Sequence, residues 1–131
     1  MKVLALDYGS ARTGVAVSDP TGTLARPVGV VERAGTQAGL EELARLVREE
    51  EAERVVVGLP LTMRGTHGEQ AAETERFVER LRTVLDVPVE LYDERFTTDL
   101  ARRTDSATSE DARAAAHLLS GYLTWTSTRT S

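Results

Sequence analysis

The 131-residue chain contains no cysteine, so disulfide bonds and thiolate metal sites are excluded. Lys2 is the only lysine among 16 basic residues, and the net charge is -5. This charge argues against a protein that coats nucleic acid non-specifically, although it does not exclude a nuclease. No apolar run approaches the roughly 18 residues of a membrane span, and no charged flank with a long apolar run opens the chain. We therefore expect a soluble, cytoplasmic protein without a membrane partner.

Two nucleotide-binding patterns are also missing. The chain has no G-x-x-x-x-G-K-[ST] loop and no second D-x-G turn after its first one. Its length allows one domain with a sizeable core, but it is too short for the duplicated body of actin-like phosphotransferases. We predict a single domain over residues 1–125 and a frayed tail over residues 126–131.

The stretch from Met1 to Pro20 places a carboxylate, Asp7, where an apolar strand meets a glycine-rich turn. Val3-Leu4-Ala5-Leu6 is short enough for a buried strand, and residues 15–18 predict the returning strand of a hairpin. An acid at the end of a buried strand is costly to desolvate without a partner. Asp7 therefore either caps the turn through hydrogen bonds to backbone amides or belongs to a functional site, and this stretch alone leaves both interpretations open.

The predicted elements follow in the order strand, strand, strand, helix, strand, helix, strand, helix. The strands are predicted near residues 3–6, 15–18, 27–33, 54–58 and 87–92, with helices from about 40, 69 and 110 and a short helix near 97–103. Right-handed crossovers make this an α/β fold with a mixed five-stranded sheet, in which two parallel strands follow three antiparallel ones and helices cover both faces. Parallel strands share a carboxyl edge, where ligands of open α/β sheets bind. Asp7, the loop 58–68 and Glu94 are predicted to emerge there.

Three carboxylates are candidates for a metal site at this edge. Asp7 and Glu94 follow strands that lie about 10 Å apart when one strand separates them. Asp111, in the first turn of the last helix, can complete a set of hard oxygen ligands suited to Mg²⁺ or Mn²⁺. Alternatively, Glu110 and Asp111 are favourable charges at a helix N-terminus and Asp93-Glu94-Arg95 is a surface ion-pair run. The spacing alone leaves both interpretations open.

Four segments, in order, resemble one family. They are VLALDYGSARTGVAVSD, VVVGLPLTMRGTHGEQA, LYDERFTT and EDARAAAHLLSGYL. They are similar to the opening, the central loop, the D-E-R-[LF]-[ST]-T element and the closing helix of the RuvX/YqgF family. The resemblance implies a ribonuclease-H-like fold, with Asp7, Glu94 and Asp111 as catalytic acids that hold Mg²⁺ or Mn²⁺. It makes Asp93 a neighbour of the site rather than a ligand.

The resemblance also implies hydrolysis of phosphodiester bonds in structured nucleic acid. The substrate is then either a four-way DNA junction, as for a Holliday junction resolvase, or the 5′ end of pre-16S rRNA. A resolvase cuts two strands symmetrically and so predicts a two-fold homodimer, whereas an RNA-processing nuclease can act with one site. Leu59, Leu61, Met63 and Phe96 can serve self-association or pack into the domain. The alternatives are a non-catalytic nucleic-acid-binding module on the same fold and an actin-like ATPase-related domain.

Five arginines are predicted to surround the acidic edge and to bind phosphates of the nucleic acid. They are Arg12, Arg64, Arg95, Arg102 and Arg103. The guanidinium group suits bidentate phosphate contacts, and each lost contact should lower the salt slope of binding by about one unit. Tyr8, next to Asp7, is expected to pack in the domain, although an aromatic ring can also stack on a base.

Overall fold

The computed structural model describes residues 1–59, 68–93 and 110–129. The described strands are β1 (Val3–Asp7), β2 (Arg12–Ser18), β3 (Ala25–Glu32), β4 (Arg54–Leu59) and β5 (Val89–Asp93), and the described helices are α1 (Gln37–Glu49), α2 (Glu69–Val84) and α3 (Glu110–Arg129). The strand order in the sheet is β3-β2-β1-β4-β5. The first three strands pair antiparallel, while β4 and β5 run parallel to β1. The predicted mixed sheet, with β4 between β1 and β5, is confirmed.

Side chains of β1 alternate between two cores on opposite faces of the sheet. Leu4 and Leu6 belong to a cluster that includes residues of α1 and α2. Val3 and Ala5 belong to a second cluster, which contains residues of α3. Successive side chains of a strand point to opposite faces, so this alternation assigns Asp7 to the face that α3 covers. Helices thus cover both faces of the sheet, as predicted.

The middle of α3 is tied to the sheet by a buried tyrosine. The Tyr122 hydroxyl donates a hydrogen bond to Glu90 Oε1 at 2.9 Å and accepts one from Arg54 Nη1 at 3.0 Å. Burial raises the pKa of Tyr122, so its hydroxyl stays protonated at neutral pH and remains a donor. This network links α3 to β4 and β5 and so fixes the helix against the sheet.

Several boundaries differ from the sequence-based ones. β3 begins at Ala25 rather than at Pro27, and the proline is tolerated because β3 is an edge strand with a register shift at Val15/Ala16 of its partner. β5 begins at Val89 rather than at Val87. The predicted short helix near 97–103 lies outside the described residues.

The last helix continues into the stretch predicted as a frayed tail. α3 reaches Arg129, and the Thr126 hydroxyl donates to the carbonyl oxygens of Tyr122 and Leu123 within the helix. The division into one domain and a tail stays a prediction. None of the described helices combines the length and the apolar character that crossing a lipid bilayer requires.

The Tyr8 ring packs into the core, as predicted. It stacks on Phe77 of α2 with ring centroids 4.3 Å apart and an interplanar angle of 18°. Phe77 itself is fully buried. This contact holds the residue after Asp7 against α2.

Replacing Phe77 tests this packing. We expect Phe77→Ala to lower the free energy of unfolding by about 3–5 kcal/mol, because it leaves a cavity and removes the stacking partner of Tyr8. Chemical denaturation measures the change. Leu24→Ala is the control, since Leu24 is 71% exposed, and it should change the free energy by no more than about 0.5 kcal/mol. Equal effects of the two variants would contradict the described core.

Candidate active site

The three parallel strands end at one level. β1 ends at Asp7, β4 at Leu59 and β5 at Asp93. In the register of the sheet Leu6 lies beside Val57, and Leu59 lies beside Asp93. The carboxyl edge predicted from the sequence is therefore formed, with Asp7 on its central strand.

A glycine brings this edge and the start of α3 together. Gly14 of β2 is the cross-strand partner of Asp7, and the Cα atoms of such partners lie about 4.5–5.5 Å apart. A Cβ atom at Gly14 would lie 1.9 Å from the carbonyl oxygen of Asp111. The first turn of α3 therefore rests on the residue opposite Asp7. The structure thus brings Asp7 and Asp111 to the same side of the same sheet edge.

Arg12 lies beside these acids at the beginning of β2. Its Nε is 3.3 Å from Asp111 Oδ2, with the two side chains 66% and 39% exposed. Such an exposed ion pair contributes only about 0–1 kcal/mol to stability. The pair therefore explains little of the stability of the fold, and it places a guanidinium group where a phosphate near Asp111 can reach it.

The turn between β1 and β2 is organised by Thr13, whose role the sequence did not reveal. The buried Thr13 hydroxyl accepts a hydrogen bond from the Gly9 amide and donates one to the Gly9 carbonyl, both at 3.4 Å. Part of the hydrogen bonding attributed to Asp7 as a turn cap is thus supplied by Thr13. Gly14 lies inside β2, and a glycine inside a strand can signal close approach of another backbone.

Asp93 is the neighbouring acid on β5. Val89 and Leu91 of the same strand pack in the cluster on the α2 side, and strand alternation assigns Asp93 to that face. Asp7 belongs to the opposite face. That Asp93 is a neighbour of the site rather than a ligand stays a prediction.

The remaining site predictions fall on other parts of the chain. Glu94, Arg64, Arg95, Arg102 and Arg103 lie outside the described residues, and so do Leu61, Met63 and Phe96. Within residues 1–59, 68–93 and 110–129, no group of three or more histidines, cysteines and acids is arranged to hold a metal ion. Of the three predicted metal-binding acids, Asp7 and Asp111 lie within the described residues. Mg²⁺ is commonly bound through one or two carboxylates while it keeps several waters. Two aspartates are therefore ligands of the type and number that Mg²⁺ accepts.

The family model of RuvX, described as Holliday junction resolvase, matches residues 1–125. The chain belongs to the RuvX family. Among RuvX relatives, a protein of Chloroflexus aggregans is 48% identical over 101 residues, which cover 77% of this chain and 71% of the relative. A protein of Syntrophomonas wolfei is 37% identical, with 94% of each chain covered. Both carry the name "Putative pre-16S rRNA nuclease".

Solved structures agree with the fold of this RuvX chain. RuvC of Thermus thermophilus aligns with a TM-score of 0.62 at 16% identity, covering 98% of this chain and 97% of RuvC. The Holliday junction resolvase of fowlpox virus aligns with a TM-score of 0.56 at 12% identity, covering 95% of this chain and 99% of the viral protein. These likenesses show a ribonuclease-H-like fold, as predicted.

The contact at Gly14 can be tested by adding one methyl group. We expect Gly14→Ala to lower the free energy of unfolding by about 1–3 kcal/mol, because the added Cβ overlaps the backbone at Asp111 and forces α3 to move. Gly29→Ala on the adjacent strand is the matched control, since its Cβ would meet nothing within 4 Å. Chemical denaturation of both variants measures the difference. If Gly14→Ala is as stable as Gly29→Ala, α3 does not rest on β2 as described.

Proposed function

We propose that this member of the RuvX family is a metal-dependent endonuclease that hydrolyses phosphodiester bonds of structured nucleic acid. Its proposed catalytic acids are Asp7, Glu94 and Asp111. The observation that carries the proposal is the approach of α3 to Gly14, which puts Asp7 and Asp111 at one sheet edge. The role of Glu94 rests on the similarity of LYDERFTT to the family element.

The same acids are proposed to hold Mg²⁺ or Mn²⁺. Carboxylate oxygens are the donors that these hard cations prefer. When bound, the cation supplies Lewis-acid chemistry that favours attack by water on the phosphate and departure of the 3′ oxygen. Asp7 is half-buried and lies on the central strand, so the chain contributes a rigidly placed carboxylate.

Arg12 is the described candidate for a phosphate contact. Its ion pair with Asp111 is exposed and weak, so the guanidinium group can exchange this carboxylate for a phosphate of the substrate at little cost. Arg64, Arg95, Arg102 and Arg103 are proposed as further phosphate contacts from their positions in the sequence. A local set of arginines allows a chain of net charge -5 to bind a polyanion.

Asp7→Asn tests the catalytic proposal. We expect cleavage to fall by at least ~100-fold with little loss of stability, because the amide keeps the shape of the side chain but loses its charge. Gel analysis of end-labelled substrate with Mg²⁺ or Mn²⁺ measures the rate. Asp86→Asn, a matched change at an exposed site between α2 and β5, should cleave like the unchanged protein. Full cleavage by Asp7→Asn, or in excess EDTA, would show the assignment to be wrong.

Two substrates fit the proposal. The description of the family model favours four-way DNA junctions, while the name shared by the relatives favours pre-16S rRNA. We propose that this activity takes place in the cytoplasm.

A side-by-side assay on a synthetic four-way junction and a pre-16S rRNA fragment separates the two. Paired symmetric nicks in the junction, with the RNA intact, would support a resolvase and require a homodimer with paired sites. Selective cleavage of the RNA would support the processing role. Tight binding of either substrate without a metal-dependent product would instead support the non-catalytic binding module.

A further inference from the structure

A small cavity opens beside the proposed active edge, on the opposite face from α3. Its volume is about 280 Å³, and its described walls are the hairpin tip from Tyr8 to Ser10 and the first turns of α2. Tyr8 directly follows Asp7 and, by strand alternation, belongs to the α2 face. The cavity is therefore one residue along the chain from a proposed catalytic acid.

The α2 wall of the cavity carries both donors and acceptors of hydrogen bonds. Gln70, Glu73 and Arg76 recur at a spacing of three residues, which puts them on one face of the helix. Glu69 adds a second carboxylate. On the hairpin side, Ser10 contributes an exposed hydroxyl. This set can satisfy a ligand that has donors and acceptors along one edge.

Glu73 lies near the Tyr8 side chain at the cavity. The Tyr8 ring stacks on Phe77, and this contact holds it against α2. Burial and the nearby charge of Glu73 raise the pKa of Tyr8, so its hydroxyl stays protonated at neutral pH. The Glu73 carboxylate offers about four lone-pair sites to hydrogen-bond donors of a ligand.

The charges that line the cavity favour a base over a phosphate as its occupant. Of the lining residues, Glu69 and Glu73 carry two negative charges and Arg76 carries one positive charge, while Arg80, outside the lining, also acts on the Tyr8 hydroxyl. Two carboxylates repel a phosphate, whereas the N–H groups of a base are good partners for them. The cavity volume of about 280 Å³ also lies just below the usual range of ligand sites, which runs from about 300 to 1,000 Å³. One planar base suits this space better than a base pair.

We propose that this cavity binds one unpaired base of the nucleic-acid strand that lies on the active edge, and that guanine fits it best. Guanine presents adjacent N–H donors to a carboxylate, and its O6 and N7 atoms accept from a guanidinium group. Proteins commonly read single-stranded nucleic acid through bases that are splayed out in this way. A base held next to Asp7 would select which phosphodiester bond reaches the acids. The inference rests on the proposed function, because that function brings the strand to this edge.

The test measures binding in EDTA, so that it does not depend on cleavage. The probes are fluorescently labelled oligouridylates with one central guanosine, adenosine or cytidine, and the readout is fluorescence anisotropy. We expect about tenfold tighter binding of the guanosine probe, which corresponds to about 1.4 kcal/mol and lies within the range of one good base contact. Glu73→Gln should reduce this preference to about twofold or less. Glu79→Gln removes the same charge from an exposed site on α2 outside the cavity and should keep the preference.

Three results would overturn the inference. They are equal affinity for the three probes, a preference for adenosine or cytidine, and equal guanosine preference in Glu73→Gln and Glu79→Gln. Should Glu73→Gln fail to fold by circular dichroism, Arg76→Ala takes its place, with the same expected loss of preference. A guanosine preference without any metal-dependent cleavage would support base binding in the cavity and reject the nuclease proposal. Metal-dependent cleavage without a base preference would support the nuclease proposal and reject base binding in the cavity.

Discussion

At Gly14 the backbone of α3 approaches β2 so closely that a methyl group in place of a hydrogen would lie 1.9 Å from the Asp111 carbonyl oxygen. Gly14 is also the cross-strand partner of Asp7. This one contact therefore determines both how closely α3 packs on the sheet and how far Asp111 lies from Asp7. The same helix covers the core around Val3 and Ala5 and is held further along by the Tyr122 hydroxyl. Hydrophobic burial of α3 thus supplies the force that keeps the candidate site assembled.

The hairpin between β1 and β2 divides the active edge into two chemically different faces. Asp7 belongs to the α3 face, where Asp111 and Arg12 form an exposed ion pair. Tyr8 belongs to the α2 face, where Glu73 and Arg76 line the cavity. Alternation of side chains along one strand therefore puts the proposed chemistry on one face and the proposed base recognition on the other. A strand of nucleic acid crossing this edge would meet both.

Local patterns in the sequence were sufficient to predict the fold and the position of Asp7 at the carboxyl end of β1. The apolar run before Asp7, the β-branched run in β4 and the helical periodicity of α1 and α2 fix the elements, and the crossover rule then orders the sheet. The contact at Gly14 could not be predicted in this way, because a glycine inside a strand can signal a close approach but does not identify the backbone that approaches. Pairing of Arg12 with Asp111 likewise joins residues far apart in the chain, and no local spacing encodes it.

The central claim is that Asp7 and Asp111 form part of one divalent-cation site. Its most direct test is isothermal titration calorimetry of Mn²⁺ into the unchanged protein, Asp111→Asn and Glu110→Gln, without nucleic acid. Glu110→Gln is the matched control, because it removes the same charge from the adjacent residue of the first turn of α3. The account predicts at least ~10-fold weaker Mn²⁺ binding by Asp111→Asn, with Glu110→Gln close to the unchanged protein. Equal affinity of Asp111→Asn and the unchanged protein would contradict it.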